Sequence, residues 1–257
     1  MNDRVTIETR GAVAEVRLTR ADKLNALDEA MFSALAEAGE ALGGAPGVRA
    51  IVLSGEGRAF CSGLDRSGGE AELLEGPRTA GGANRLQQAI AVWREMAVPV
   101  IAAVQGQAFG GGLQLALAAD MRILAPDAQL SVMEIRWGIV PDLGGIGCLR
   151  RLVRDDVLRD LVYSGRVVGG EEALALGLAT RLAGEPRAAA LSHAGEIAAQ
   201  SPDTIRAAKA LINLAADASF STLLRAESEA QASLIGKPNQ IEAVMANLQA
   251  RTARYAD

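Results

Sequence analysis

Aromatic side chains are scarce in this chain, at two Trp, two Tyr and four Phe in 257 residues. Stacking platforms for single-stranded nucleic acid need such rings. The net charge of −5 adds no general attraction for a polyanion. A nucleic-acid partner is therefore not expected. Histidine occurs once, as His193 in an alanine-rich stretch, which excludes a multi-histidine metal site. Cysteine occurs twice, as Cys61 and Cys148, too few for a disulfide framework and without metal-ligand spacing. No metal site is expected, and no P-loop, dinucleotide fingerprint or zinc spacing is found. The apolar runs are too short and interrupted to span a bilayer. Met1–Arg10 lacks the apolar core of a secretion signal. The expectation is a cytoplasmic protein with reduced thiols and no membrane partner.

What the chain does have is ordinary globular material, 49% hydrophobic and 22% charged, enough for one or two domains. The stretch with most chemical content is Val100–Asp120. Val100-Ile101-Ala102-Ala103-Val104 reads as a buried strand. Gly110-Gly111-Gly112 then opens the apolar helix Leu113–Ala119. Glycines let a ligand approach the backbone, and the first N–H groups of a helix lack internal partners. The segment fits a site for an anion, or for an oxygen that becomes one during a reaction. It fits equally a tight strand–helix packing.

Around it, Val5–Glu8 and Ala12–Leu18 alternate as a hairpin. Asp28 can cap a helix with Met31, Leu35, Ala38 and Leu42 on one face, stopped at Gly43-Gly44. Val48–Leu53 reads as a strand, Ser67–Asn84 as a mobile lid or linker, and Arg85–Met96 as a helix. Met121–Ala125 and Leu130–Val132 are short strands. A Gly/Pro-punctuated loop, 133–145, opens a helix near Ile146–Val153. Helical spacing then marks Asp155–Tyr163, Gly170–Leu176, Pro186–Ala199, Pro202–Ala215, Phe220–Ile235 and Asn239–Arg254. The alanine-rich helix near Arg187–Ala199 has only a small face to bury, and another subunit would give it more to cover.

Four segments together resemble the crotonase, or enoyl-CoA hydratase/isomerase, family: Lys23-Leu-Asn-Ala-Leu-Asp28, Arg58-Ala-Phe-Cys-Ser-Gly-Leu-Asp65, Val98–Gly112 and Met133-Glu-Ile-Arg-Trp-Gly-Ile-Val-Pro-Asp142. Their order and spacing match over nearly the whole chain, most loosely in Lys237–Asp257. The resemblance implies an α/β fold, the ClpP/crotonase-like spiral of repeated ββα units over residues 1–200. A helical region, 201–257, would serve trimerisation, as a homotrimer or a hexamer. It also implies a coenzyme A thioester as substrate, no separate cofactor, and hydration or double-bond isomerisation of an enoyl- or dienoyl-CoA through a thioester enolate. A non-catalytic acyl-CoA-binding or scaffold protein of the same fold is the alternative; an RNA-binding member fits the acidic balance poorly.

By motif position, the amides that hold the thioester oxygen are those of Leu64 and Gly111. Family hydratases carry one glutamate three residues past the oxyanion glycine and a second in a PEI-like motif. Here those positions are Gln114 and Glu134. Gln114 can orient water or substrate but cannot exchange protons as a carboxylate does; it can also be an ordinary helix residue. Glu134 among apolar neighbours would have a raised pKa suited to proton transfer, or it lies on a surface loop. Asp142 stands where family dienoyl-CoA isomerases have an aspartate, and it is equally placed to cap the next helix. The resemblance sets Lys23, Ala26, Arg58, Cys61, Ser62, Asp65, Gly110, Trp137 and Pro141 along the substrate. Lys23, Arg58 and Lys237 are the candidates for the coenzyme's phosphates. Trp137 lines the acyl pocket or packs in the core. Cys61 as a nucleophile lacks a histidine partner in sequence, and Asp65 reads as a loop anchor.

Overall fold

The computed structural model describes residues 3–65 and 77–257. β1 (Val5–Arg10) and β2 (Val13–Leu18) form the predicted antiparallel hairpin. The crossover helix α1 (Glu29–Gly43) starts where the sequence places it: the Asp28 carboxylate accepts the Met31 N–H at 2.8 Å. Its predicted apolar face, Met31, Leu35, Ala38 and Leu42, is buried. β3 (Ala50–Gly55) lies parallel to β2, two residues later than the apolar run suggests. Of the stretch expected as a lid, residues 67–76 lie outside the described residues.

α2 (Arg85–Glu95) opens on a capping box between Asn84 and Gln87. β4 (Val100–Val104), β5 (Gln107–Phe109), α3 (Gly111–Ala118), β6 (Met121–Leu124) and β7 (Gln129–Ser131) follow. After α4 (Gly145–Leu149) and α5 (Asp155–Ser164) come β8 (Val168–Gly169), α6 (Gly170–Leu176) and β9 (Arg181–Leu182). The strands sort into two sheets: one of six in the order β1-β2-β3-β4-β6-β9, and one of three in the order β5-β7-β8. β4 with β5, and β6 with β7, each give one strand to each sheet. A parallel bridge between Cys61 and Ala108 brings the segment after β3 alongside β5 in the same way. This is the repeated turn of a crotonase-like spiral.

The large sheet is covered on both faces. Ile51, Leu53, Val100, Ala102 and Val104 enter the main core. Their alternating neighbours Val52, Ile101, Ala103 and Ile123 pack against Ala190, Ala194 and Ala198 of α7 (Pro186–Ala198). The small face of that helix therefore covers the chain's own sheet, and needs no other subunit to do so. α8 (Pro202–Ala215), α9 (Phe220–Leu234) and α10 (Pro238–Leu248) complete the chain. α10 ends six residues before the predicted stop, and the tail returns toward β3. There Ala256 exchanges two hydrogen bonds with Asn239, and Arg49 pairs with Asp257 at 2.8 Å. No described helix is long and apolar enough to cross a membrane.

Candidate active site

Close backbone packing brings the glycine-rich segment against residues 59–65. Phe60 and Cys61 donate to the carbonyls of Gln105 and Gln107 at 2.8 and 3.0 Å, and Phe109 donates back to Cys61 O at 3.0 Å. A Cβ on Gly112 would sit 2.2 Å from that Cys61 oxygen, so only glycine fits. Gly63, at φ +94°, is pinned likewise: its Cβ would meet Phe109 O at 2.6 Å and lie 3.6 Å from Gly111 N. The peptide that carries the Leu64 amide thus lies beside Gly111. Among the described residues, neither N–H donates to a protein acceptor. Leu64 and Gly111 line one cavity of about 280 Å³.

The first motif, 23–28, braces this arrangement from outside. Buried Asn25 accepts the Arg20 N–H at 3.0 Å and donates to Glu56 O and Ala59 O, both at 2.9 Å. Leu24 O accepts the Ser62 N–H, Gly63 O accepts that of Leu27, and Leu27 O accepts that of Asp65, at 2.8–2.9 Å. The Asp65 carboxylate pairs with Arg20 at 2.6 Å, which makes it the expected loop anchor.

Two carboxyls face the cavity. Glu134 heads a short 3-10 turn, Glu134–Trp137, where the sequence suggests only loop, and is 7% exposed. Its Oε1 accepts from Gln114 Nε2 at 2.7 Å. Its Oε2 is buried with no hydrogen-bond partner among the described residues. Burial pushes its pKa up; its own N–H and that of Gln114 pull it down, and the nearby Asp142 charge pushes it up again. Asp142 is half-buried and is also raised by burial, partly offset by its own N–H. It is not a helix cap: α4 has Gly144 at its N-cap, with no side-chain bond. Gln114 Oε1 is fully used as an acceptor, taking the Leu143 and Gly145 N–H groups, each at 2.9 Å.

Eight of the sequence-chosen residues meet at this cavity: Ser62, Leu64, Gly110, Gly111, Gln114, Glu134, Trp137 and Asp142. Trp137 is 51% exposed, so it lines the cavity and is not a core residue. Cys61 does not reach it. Its side chain is wholly buried against Gly112, and burial pushes the thiol up to about 12, which removes it as a nucleophile. Ala26, Asp65 and Pro141 do not line the cavity either; Ala26 and Pro141 are buried in the frame. Lys23 and Arg58 are exposed on the two segments that carry Leu64 into place. Gly63, Met133, Ile139 and Leu143 are wall residues the sequence reading missed. Gly63, Met133 and Ile139 lie within the quoted motifs and Leu143 directly follows one, and that adjacency was the available signal.

A second, apolar cavity of about 390 Å³ continues from the first. Phe32, Leu86 and Val140 line it, with Leu64, Ile139, Asp142 and Leu143 common to both. Asp142 therefore stands at the boundary. A roomier cavity of about 620 Å³ lies between α8 and the sheet end. Its carboxylate, Asp120, is already held by Lys209 at 2.8 Å and by the Val100 N–H at 2.7 Å, which leaves it no free acid group.

A glycine-framed pair of bare amides beside one buried and one half-buried carboxyl, on a spiral of ββα turns, defines the crotonase class. The chain belongs to the enoyl-CoA hydratase/isomerase family, whose family model matches residues 8–257. It is 31% identical over 255 residues to a mitochondrial methylglutaconyl-CoA hydratase of Mus musculus, covering 96% of this chain and 80% of that one. It is 34% identical over 224 residues to a carnitinyl-CoA dehydratase of Proteus mirabilis, covering 86% and 84%. Among solved structures it matches an enoyl-CoA hydratase from Bacillus anthracis with a TM-score of 0.91 at 28% identity, covering 98% of each chain.

Proposed function

We propose that the protein catalyses the reversible addition of water to an enoyl-CoA thioester. The observation that carries this is the placement of the Glu134 carboxylate, with an unpartnered Oε2, in the cavity that the Leu64 and Gly111 amides line. The thioester oxygen accepts from the two amides. Glu134 takes a proton from water as the water oxygen bonds to the β-carbon. The electron pair of the double bond moves onto the thioester oxygen as an enolate, and the same carboxyl then returns the proton to the α-carbon. Donors aimed at a developing oxyanion stabilise it more than the neutral carbonyl. Gln114, through its second amide hydrogen, orients water or substrate. Lys23 and Arg58 meet the coenzyme's phosphates, and the acyl group extends into the apolar second cavity. No cofactor beyond the substrate's own coenzyme A is required. The names of the hydratase and dehydratase relatives support this reading.

A second reading, a double-bond shift, is favoured by Asp142. Its position at the boundary of the two cavities suits removal of a proton at one carbon while Glu134 delivers one at another. Mass spectrometry on a mixed enoyl- and dienoyl-CoA panel in heavy water separates the two. Hydration adds the mass of one D₂O, whereas isomerisation leaves only exchanged deuterium. Glu134→Gln is expected to lower kcat by about 10²–10⁴-fold. Thioester binding by calorimetry with no turnover across the panel would instead support a scaffold protein.

A further inference from the structure

We propose that Gln114 is a positioning residue that ties the Glu134 carboxylate to the loop carrying Asp142, so that one neutral side chain fixes the spacing of both acid groups. This rests on the acid–base reading of the site above. Gln114 is 3% exposed on α3, and its orientation is decided by its partners. Two backbone N–H groups, from Leu143 and Gly145, point at one end of the amide at 2.9 Å, so that end is the oxygen. The nitrogen is then the atom 2.7 Å from Glu134 Oε1. The flipped amide would set donors against donors and an oxygen against a carboxylate.

The loop is gripped from the other side as well. Gln87 on α2 donates to Asp142 O at 2.7 Å, and its own Oε1 accepts the Asn84 N–H at 3.0 Å. The Asp142–Leu143 peptide group is thus held through its oxygen by one glutamine and through its nitrogen by another. The close approach depends on glycine at 145, where a Cβ would lie 2.7 Å from Gln114 Cγ and Oε1.

An amide is the group this position needs. A carboxylate at 114 accepts the same two N–H groups, but its second oxygen then faces Glu134 Oε1 across 2.7 Å, and the two must share a proton. A leucine orphans two buried N–H groups and removes the donor from Glu134. Among the described residues, Asp142 is the charged group facing Glu134; the donors to Glu134 are Gln114 and its own N–H.

The test is an infrared titration of the Glu134 carboxyl band in the free protein, the band being identified by its loss in Glu134→Gln. Wild type, Gln114→Leu and Gln114→Glu are compared, with kcat, KM and melting temperature measured in parallel. In Gln114→Leu the Glu134 midpoint is expected to rise by about one pH unit or more, and in Gln114→Glu the upper midpoint of the coupled 114–134 pair likewise, with kcat falling at least tenfold while KM stays within threefold. Gln114→Glu, which keeps the acceptor for Leu143 and Gly145, should recover the melting temperature lost in Gln114→Leu but not the midpoint. Midpoints that overlay wild type in both variants, with only the melting temperature changed, overturn the proposal. If Gln114→Leu does not fold, Gln114→Met, which also lacks the amide, takes its place. Should no thioester be turned over, the hydration reading fails, and the infrared midpoints still decide the role of Gln114.

Discussion

Glu134 sits between opposing influences of similar kind, and their balance has a kinetic signature. Burial disfavours its charge, two N–H groups favour it, and the Asp142 charge disfavours it again. The net direction is upward, so the acid limb of kcat/KM, where the base must be ionised, lies above the ordinary glutamate range. Removing the Asp142 charge removes one upward push. Asp142→Asn is therefore expected to move that limb to lower pH, a shift read directly from kcat/KM against pH; a limb that stays or rises would separate Asp142 from Glu134. The amide at Gly111 calls for a different substitution, because changing a side chain leaves an N–H in place. Gly111→Pro deletes the donor at the first position of α3, where proline is tolerated. A Cβ there meets only the side-chain tips of Leu27 and Leu143, at 3.0 and 3.2 Å. A loss of about 10²–10³-fold in kcat is expected, with thioester binding retained by calorimetry.

At the scale of elements, α7 is joined to the large sheet by a partly buried ionic cluster as well as by its alanines. The Glu15 carboxylate of β2, 4% exposed, accepts from Arg187 of α7 at 2.5 and 2.7 Å, from Arg17 at 3.0 Å and from Ser54 of β3 at 2.7 Å. Burial pushes this carboxyl up, and the hydrogen bonds from Arg187, Arg17 and Ser54 outweigh it, leaving it at about 2. A depressed pKa in the folded state stabilises above the unfolded pKa. Here that contribution is about 3 kcal/mol, complete above pH ~4.5 and lost as pH falls toward about 2. Glu15→Gln is expected to be less stable at neutral pH, with the difference from wild type closing across that acid range in urea melts at successive pH values. A difference constant with pH would show that the cluster does not act through ionisation. This contact lies beyond sequence reading, since residues 15, 54 and 187 share no local pattern. Asp28 as a cap, the hairpin and the strand at 100–104 were legible because each is written within a few neighbouring residues. β5, β8 and β9 were not, because strands of two or three residues are too short to show a period; β7, as short, was legible only through the apolar run Leu130–Val132.

The whole molecule repeats that division. The motifs locate the amides and Glu134, because glycine spacing and motif order are local and specific. The bond from Gln114 to Glu134 and the release of Asp142 from a capping role arise when the spiral closes, so no window of sequence contains them. One feature of the closed molecule is unfinished. α9 has no buried residue, although Phe220, Leu223, Leu224 and Leu234 lie along it. Phe220 is 76% exposed, Ile212 on α8 72% and Leu248 on α10 78%. Helices are held mainly by burial of an apolar face, and exposed large apolar side chains recur along three successive helices, the kind of surface an interface covers. A second copy of this chain is the occupant we propose, as the homotrimer, alone or doubled into a hexamer, that the family resemblance implies. The large sheet is already covered by α7, which leaves α8–α10 as the face we propose for that second copy. Sedimentation equilibrium at micromolar concentration is expected to give three or six times the chain mass. Phe220→Asp with Leu248→Asp, two charges on surfaces that are exposed in the single chain, is expected to shift the protein to monomer and lower its melting temperature. A monomeric wild type at that concentration would leave those side chains in water and end the argument.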